Sequence, residues 1–178
     1  DRPVSGVMVL ARHVRAARRL AEQFEARTVI KKYWAVVEGT VSPDAGTWTD
    51  HLRKIPDAAQ VEVVSAEHPA GRLAVLYYRV LASDGRTSWL EIDLETGRMH
   101  QIRVQVASRS HPIVGDAQYG SVLPFGPVTE DFRRRWIALH ARRLEFRHPM
   151  TREIINQIAP LPAAWRSLSV LSAAFPDG

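Results

Sequence analysis

The sequence predicts an α+β fold, in which a mixed, mainly antiparallel sheet carries a few flanking helices. Residues 88–94 alternate between apolar and polar side chains, which is the pattern of a half-buried strand. The links at 69–71 and 83–85 contain the glycine, proline, serine and aspartate residues that suit hairpin turns. Strands that follow one another through such short links pair antiparallel. A chain of 178 residues with 46% hydrophobic content can fold as one domain without disulfides.

The first third of the chain is predicted to hold a strand at 7–10, a helix at 12–27 and a second strand at 29–38. An apolar stripe recurs at helical spacing along this helix, formed by Val14, Ala17, Leu20 or Ala21, and Phe24. Most arginines of the helix lie off that stripe, where they face solvent or RNA. The second strand is rich in β-branched and aromatic residues. Prolines and a glycine interrupt residues 41–57, which are therefore expected to be irregular.

The rest of the chain is predicted to combine further strands with two helices. Strands are expected at 61–66, 73–82, 88–94, 136–147 and 153–158, with a loop at 116–127. Thr96 is expected to cap the helix that follows it, and Met99, Ile102 and Val106 would form the apolar face of that helix. Pro162 is expected to begin a last helix, because proline is tolerated in a first turn.

The start of the central helix is dense in side-chain hydrogen-bond donors. They are Arg98, His100, Gln101 and Arg103. Backbone N–H groups at a helix start already favour an anion. The cluster therefore suits a site that holds phosphate or carboxylate, and it suits an ordinary solvated polar face equally well.

Charge and composition narrow the classes of function. A net charge of +5 and a pI near 10.1, with most of the positive charge on arginine, indicate an anionic partner, of which nucleic acid is the commonest. The absence of cysteine excludes a thiolate zinc site and a cysteine nucleophile, and it is compatible with a reducing cytoplasm. The apolar runs are too short to span a bilayer. We therefore expect a cytoplasmic protein with no membrane partner.

Several common catalytic patterns are missing from the sequence. The histidines are scattered without the spacing of metal ligands, and there is neither a glycine-rich phosphate loop nor a Gly-x-Ser-x-Gly elbow. We therefore expect no metal and no cofactor. What remains is a carboxylate among arginines, acting as an acid, a base or a nucleophile.

An ordered set of motifs covers nearly the whole chain. The motifs are DRPVSGV at 1–7, KKYWAVVEG at 31–39, TGRMHQIRV at 96–104, HPIVGD at 111–116 with YG at 119–120, and LHA at 139–141 followed by HP at 148–149. Together they resemble the RluA-like pseudouridine synthases, whose patterns include an aspartate shortly before Ser-Gly and the segment Lys-x-Tyr-x-Ala-x-Val-x-Gly. A lone Asp-x-x-x-Ser-Gly match would carry little weight, whereas this ordered set is specific.

The resemblance implies a fold and an activity. The fold would be the pseudouridine synthase catalytic fold, as a single domain over 1–178, acting as a monomer. The activity would be isomerisation of specific uridines to pseudouridine in structured ribosomal or transfer RNA, in which uracil is detached from C1′, rotated and rejoined through C5. A uridine within an RNA helix would first be flipped out, and RNA binding would weaken as salt rises.

The resemblance also implies roles for individual residues. Asp1 would begin the reaction by attacking C1′ or by removing a proton from C2′, and either route needs an ionised carboxylate. Arg103 would pair with Asp1, although a purely structural ion pair would use the same residue type. Tyr33 would stack on the uracil and is a candidate base for the C5 proton, unless it is a core aromatic of its strand. The RNA contacts would be Arg2, Lys32, Arg98, His100 and Gln101.

The sequence also departs from the family pattern. The His-Arg-Leu that precedes the family's aspartate is absent, so we expect the domain to be N-terminally incomplete and this exact chain to be a poor enzyme. Gln105 stands where a histidine is usual. Two alternatives stay open: an impaired relative that binds or chaperones RNA, and a carboxylate glycosidase that acts on a nucleoside. A glycosidase would need a second catalytic carboxylate, and Glu95 and Asp116 are interpreted as turn residues.

Overall fold

One eight-stranded sheet and three α-helices make up the parts of the chain that a computed structural model describes, which are residue 1 and residues 3–131 and 134–174. The strands are β1 (Ser5–Gly6), β2 (Ile30–Glu38), β3 (Ala45–Lys54), β4 (Val61–Val64), β5 (Arg72–Ser83), β6 (Thr87–Leu94), β7 (Leu139–Arg147) and β8 (Ile154–Ile158). The helices are α1 (Val14–Glu25), α2 (Gln101–Ala107) and α3 (Ser169–Ala174), with 3-10 turns at Ala117–Tyr119 and Ala163–Ser167.

The sheet is mixed and mainly antiparallel. Its strands lie in the order β1-β7-β2-β6-β5-β3-β4, and β8 pairs with β7. The pairing of β1 with β7 is parallel, whereas the other strand pairs described are antiparallel. The predicted fold class is therefore confirmed. No helix in the described ranges has the length and apolar character needed to cross a membrane.

The centre of the core lies on β2, where Ala35, Val36 and Val37 are fully buried. Successive residues of a strand point to opposite faces, so burial of all three shows that both faces of the sheet are covered here. Helix α2 packs against β3 and β4 and adds Ile102 and Val106 to the main apolar cluster. Helix α3 packs against β5 and β6.

Helix α1 is confirmed, but of its predicted apolar stripe only Leu20 is buried. Ala16 and Leu20 are buried, and Leu20 packs against Leu144 and Phe146 of β7. By contrast, Val14 is 86% exposed. The helix lies on the end of the sheet and covers only a small second cluster, so a narrow stripe is enough and the rest of its surface meets solvent.

Strand β3 corrects the prediction of an irregular segment at 41–57. Its backbone pairs with β5 over eight residues, from Ala45 opposite Arg79 to Leu52 opposite Arg72. The two prolines flank the strand rather than interrupt it. Gly46 is tolerated because the Tyr78 ring occupies the space of the missing side chain, 3.0 Å from where a Cβ would lie.

The predicted strand at 7–10 is wrong, and the last helix begins later than expected. The strand that pairs with β7 is the preceding dipeptide of β1, after which Val7 makes one further backbone hydrogen bond, to Ala141 (2.9 Å). After Pro162 the chain forms a 3-10 turn, and α3 begins only at Ser169. Trp165 of that turn is almost fully buried, so the short turn serves to place its indole in the core.

Candidate active site

The carboxylate of Asp1 lies between two nitrogen-bearing side chains. Its Oδ2 is 3.7 Å from Nη1 of Arg103, and its Oδ1 is 3.7 Å from Nε2 of His100. The Asp1 side chain is 24% exposed, whereas that of Arg103 is 4% exposed. The structure therefore brings together Asp1 and Arg103, the two residues that the resemblance pairs, although they are 102 positions apart in the numbering of the chain.

Strand β1 places Asp1 beside the start of α2. Ser5 and Gly6 pair with His140 and Ala141 of β7, and the Ser5 hydroxyl is 2.9 Å from Nδ1 of His140. Gly6 has φ +118°, and a Cβ there would lie 2.3 Å from the Ala141 carbonyl oxygen. Glycine is therefore required at this position, because only glycine allows the backbones to approach so closely.

Arg103 is held mainly by Asp116. Its Nε donates to Oδ2 of Asp116 (2.7 Å) and its Nη2 donates to Oδ1 (2.8 Å), in a pair whose side chains are 4% and 2% exposed. Gln118 accepts a further hydrogen bond from Nη2 (2.8 Å). The shorter contacts to Asp116 fix the guanidinium and leave Nη1 aimed at Asp1. Arg103 thus fits both interpretations, as a buried structural ion pair and as the partner of Asp1.

Asp116 corrects its interpretation as a turn residue. Its backbone does enter the 3-10 turn Ala117–Tyr119, but its carboxylate points inward to Arg103. The preceding Gly115, at φ +88°, makes this turn, and the backbone of Trp136 lies 2.6 Å from where its Cβ would be. The sequence offered one signal for this role, because Asp116 ends the motif at 111–116 that follows the motif of Arg103.

His100 occupies the cap position before α2, where Thr96 was predicted to cap the helix. It adopts a left-handed conformation, φ +51°, and its Nδ1 lies 2.8 Å from the hydroxyl of Tyr119. Burial, and then the nearby charge of Arg103, lower the pKa of His100 to about 4, so the imidazole is neutral near pH 7. Thr96 caps nothing, because its hydroxyl bonds instead to the Val75 backbone. Met99, predicted on the apolar face, is 40% exposed.

Gln101 is part of the interior rather than a surface contact. Its Oε1 accepts hydrogen bonds from the Arg98 backbone (2.9 Å) and from Thr96 (2.8 Å), and its Nε2 donates to the Val75 carbonyl (3.1 Å). With 2% exposure and these partners, Gln101 holds the turn before α2 against β5. Its polar atoms are therefore used inside the protein, although Gln101 also lines the cavity described below, and its contact with RNA stays a prediction.

A cavity of about 400 Å³ opens beside the carboxylate. Asp1, His100 and Arg103 line one part of it, and Tyr33 and Lys31 line another. Its volume lies within the range of about 300–1,000 Å³ that small-molecule sites occupy. Burial raises the pKa of Tyr33, so its hydroxyl stays protonated near neutral pH. The cavity thus joins Asp1 and Tyr33, which the resemblance assigns to the reaction.

Lys31, and not the predicted Lys32, faces this cavity. Alternation along β2 puts Lys31 on the same face as Tyr33 and puts Lys32 on the other face, where its Nζ binds Asp93 (2.7 Å). No hydrogen bond or ion pair of the Lys31 ammonium is found in the described parts of the chain. Burial, and then Arg27, lower the pKa of Lys31. The Lys-x-Tyr spacing of the motif could have identified it, because residues i and i+2 share a face.

Arg98 and Arg2 complete the predicted RNA contacts. Arg98 is exposed at the rim of the cavity, where its Nε donates to the Leu73 carbonyl (3.0 Å). Arg2 lies outside the described residues. Within the described ranges, no group of three or more histidine, aspartate or glutamate side chains is arranged to hold a metal ion. Among the described residues that line the cavity, Asp1 is the acidic one.

Comparisons with known proteins agree with the motifs. Residues 1–108 match the model of the RNA pseudouridylate synthase family. Ribosomal large subunit pseudouridine synthase D of Vibrio cholerae is 38% identical over 170 residues, which cover 91% of this chain and 51% of that protein. tRNA pseudouridine synthase C of Salmonella typhimurium is 35% identical over 179 residues, which cover 93% of this chain and 67% of that protein.

A solved human structure has the same architecture. Human RNA Pseudouridylate Synthase Domain Containing 4 superposes with a TM-score of 0.67 at 27% identity, over 88% of this chain and 67% of that one. The chain spans about half the length of several curated relatives that it matches. The family match includes the positions of Asp1, Tyr33 and Arg103. On the ordered motifs, the family model and the shared fold, this chain belongs to the RNA pseudouridylate synthase family.

Proposed function

We propose that this protein isomerises specific uridines to pseudouridine in structured RNA, either ribosomal or transfer RNA. The observation that carries the proposal is the Asp1 carboxylate, which lies beside Arg103 and His100 in a cavity that also contains Tyr33. These side chains come from distant parts of the sequence and stand in motifs of the family. RNA substrates of both kinds are named for relatives of the chain.

The chemistry needs an ionised carboxylate next to the sugar. In one route, an Asp1 oxygen bonds to C1′ while the N1–C1′ bond breaks and uracil leaves as an anion. In the other route, Asp1 takes the proton from C2′ and the same glycosidic bond breaks. In the first route the bond between Asp1 and C1′ breaks as C5 joins C1′, and in the second route Asp1 returns its proton to C2′ as C5 joins C1′. In both routes C5 then loses its proton and N1 gains one, so the product is an isomer of the substrate and Asp1 is restored. Nη1 of Arg103 lies 3.7 Å from the carboxylate that either route requires.

Tyr33 suits stacking on the flipped uracil. Its ring is partly buried in the wall of the cavity, and its raised pKa keeps the hydroxyl protonated at neutral pH. A protonated phenol is a poor acceptor for the C5 proton. We therefore favour the stacking role of Tyr33 over the role of base.

The charge around the cavity suits an RNA backbone. Lys31 and Arg98 line it, and the exposed arginines of α1 add to a net charge of +5. A second cavity, of about 500 Å³, lies on the other side of His100 and Arg103 and leaves room for nucleotides next to the target. We propose that the protein acts as a cytoplasmic monomer and takes the target base out of the RNA stack before the reaction.

Release of tritium from uridine labelled at C5 tests this proposal. Unmodified transcripts of large-subunit ribosomal RNA and of transfer RNA, labelled with [5-³H]uridine, would be incubated with the wild-type protein and with Asp1→Asn. We expect tritium release by the wild-type protein and none by the variant. A wild-type protein that binds RNA without releasing tritium would support an RNA-binding module instead, and free uracil would support a glycosidase.

A further inference from the structure

Tyr119 stands directly behind both side chains that face the Asp1 carboxylate. Its hydroxyl lies 2.8 Å from Nδ1 of His100, and the guanidinium carbon of Arg103 lies 4.9 Å from the centre of its ring. The hydroxyl oxygen also accepts a hydrogen bond from the backbone N–H of Val61 in β4 (3.0 Å). Tyr119 thus connects the edge strand β4 to His100 and Arg103.

The hydrogen-bond pattern favours one tautomer of His100. The Val61 N–H occupies a lone pair of the Tyr119 oxygen, and the hydroxyl has a single proton to donate. Nδ1 of His100 is the acceptor within reach of that proton. With the Tyr119 hydroxyl as the donor to Nδ1, the ring proton of the neutral imidazole is on Nε2, which is the atom that faces Oδ1 of Asp1 at 3.7 Å.

The ring of Tyr119 acts on Arg103. A guanidinium within about 6 Å of an aromatic centroid is attracted to the ring face. Asp116 holds Nε and Nη2 of Arg103, so the aromatic ring supplies a flat surface against which the bound guanidinium rests. Nη1 remains directed at Oδ2 of Asp1.

We propose that Tyr119 is a positioning residue of this site, whose hydroxyl holds His100 as the Nε2–H tautomer facing Asp1 and whose ring supports Arg103. Each oxygen of the Asp1 carboxylate then faces its own N–H donor, and the carboxylate has one favoured orientation towards the sugar. This inference rests on the proposed function for its catalytic meaning. The tautomer itself is a property of the free protein and stands apart from any reaction.

Nuclear magnetic resonance of the protein labelled with [¹⁵N]histidine reads the tautomer directly. We expect the proton of His100 on Nε2 in the wild-type protein and a redistribution towards Nδ1–H in Tyr119→Phe, which keeps the ring and removes the hydroxyl. Tyr77→Phe is the matched control, because that exposed hydroxyl bonds to Glu95 and makes no contact with His100 in the described structure. An Nδ1–H tautomer in the wild-type protein, or an unchanged tautomer in Tyr119→Phe, would overturn the proposal.

Kinetics of tritium release separate positioning from general structure. We expect Tyr119→Phe to lower kcat by about 10- to 100-fold with little change in KM, since misplacing a reacting group by about 1 Å costs roughly 100-fold. In a His100→Asn background the same change should add nothing, because its target is gone. A fall in kcat that persists undiminished in that background would overturn the role through His100. If the wild-type protein modifies no RNA, the proposed function fails, whereas the tautomer measurement still decides this inference.

Discussion

The buried pair of Arg103 and Asp116 shows how one arginine can serve two carboxylates. Asp116 takes the two short hydrogen bonds, and Asp1 keeps the longer contact of 3.7 Å at the remaining nitrogen. In the proposed reaction, the short bonds would hold the guanidinium in place before a substrate arrives, and the longer contact would leave Asp1 free to react. The proposed site would therefore depend on Asp116, whose carboxylate holds Arg103.

Asp116→Asn should destabilise the fold as well as the site. Removing one partner of a buried ion pair leaves an uncompensated charge, which typically costs about 3–5 kcal/mol. We expect the free energy of unfolding, measured by urea denaturation, to fall by about 3 kcal/mol. Glu22→Gln is the control, because its pair with Arg18 is 62% and 73% exposed and should contribute less than about 1 kcal/mol. Equal effects of the two changes would contradict the buried role of Asp116.

Lys31→Met should weaken the interaction with RNA in a salt-dependent way. If the Lys31 ammonium meets a phosphate, the slope of log(kcat/KM) against log[KCl] should become shallower by about 0.7 to 1. Lys32→Met is the matched control, since Lys32 pairs with Asp93 on the other face of β2 and should leave the slope unchanged. The same slope in the wild-type protein and in Lys31→Met would show that Lys31 meets no phosphate.

At the scale of elements, the two-residue strand β1 sets the geometry of the proposed active site. It joins the sheet by a parallel pairing with β7 and brings Asp1 to the first turn of α2. A strand of this length adds little to the stability of the sheet. Its role is to fix the position of Asp1, and its close approach to β7 depends on Gly6.

Gly6→Ala should separate Asp1 from Arg103 while sparing most of the fold. The added Cβ would lie 2.3 Å from the Ala141 carbonyl oxygen, so β1 must move away from β7. We expect a fall in kcat of about 100-fold or more, because a displacement of about 1 Å already costs roughly that much. Gly85→Ala is the control, since it shares a positive φ (+82°) but its Cβ would meet open space. Activity retained in Gly6→Ala would contradict the positioning role of β1.

The elements that the sequence predicted well are those whose own side chains determine them. The alternation of β6 and the β-branched run of β2 predicted both strands, since each buries a repeating pattern. Strand β3 was missed, because it depends on tertiary contacts that the local sequence does not show. These contacts are its pairing with β5 and the packing of the Tyr78 ring against Gly46. The start of α2 was placed too early, because Thr96 and Gln101 bond to β5 instead of capping the helix.

The residues of the candidate site also divide into those that the sequence predicted and those that depend on tertiary contacts. The motifs predicted that Asp1, Tyr33 and Arg103 share one site, and in the structure the three side chains line one cavity. The role of Asp116 was missed, because a turn aspartate and an inward-facing one look alike until Arg103 is placed beside it. Lys31 and Lys32 lie on opposite faces of β2. Once Tyr33 is placed in the cavity, the alternation of the strand puts Lys31 on the same face.

For the whole molecule, burial of His100 makes stability depend on pH. Its pKa is about 4 in the folded protein and near 6.5 when exposed, so the unfolded chain binds more protons between these values. Stability therefore falls as pH drops from about 6.5 towards about 4. At about 1.4 kcal/mol per pKa unit, the contribution of His100 is of order 3 kcal/mol.

Urea denaturation at pH values of about 7.5 and about 4.5 tests this dependence. We expect the loss of stability at the lower pH to be smaller in His100→Asn than in the wild-type protein. His13→Asn is the control, because His13 is exposed and asparagine preserves its role as the cap of α1. The same acid-induced loss in His100→Asn and in the wild-type protein would mean that His100 is not buried as a neutral group.

The most direct test of the proposed activity is a nucleoside balance on RNA treated with this protein. Unmodified ribosomal and transfer RNA transcripts would be incubated with the wild-type protein and with Asp1→Asn, digested to nucleosides and separated by liquid chromatography. If the protein is a pseudouridine synthase that uses Asp1, pseudouridine appears mole for mole with the uridine lost, and Asp1→Asn forms none. Unchanged uridine with the wild-type protein, free uracil in place of pseudouridine, or pseudouridine formed by Asp1→Asn would contradict it.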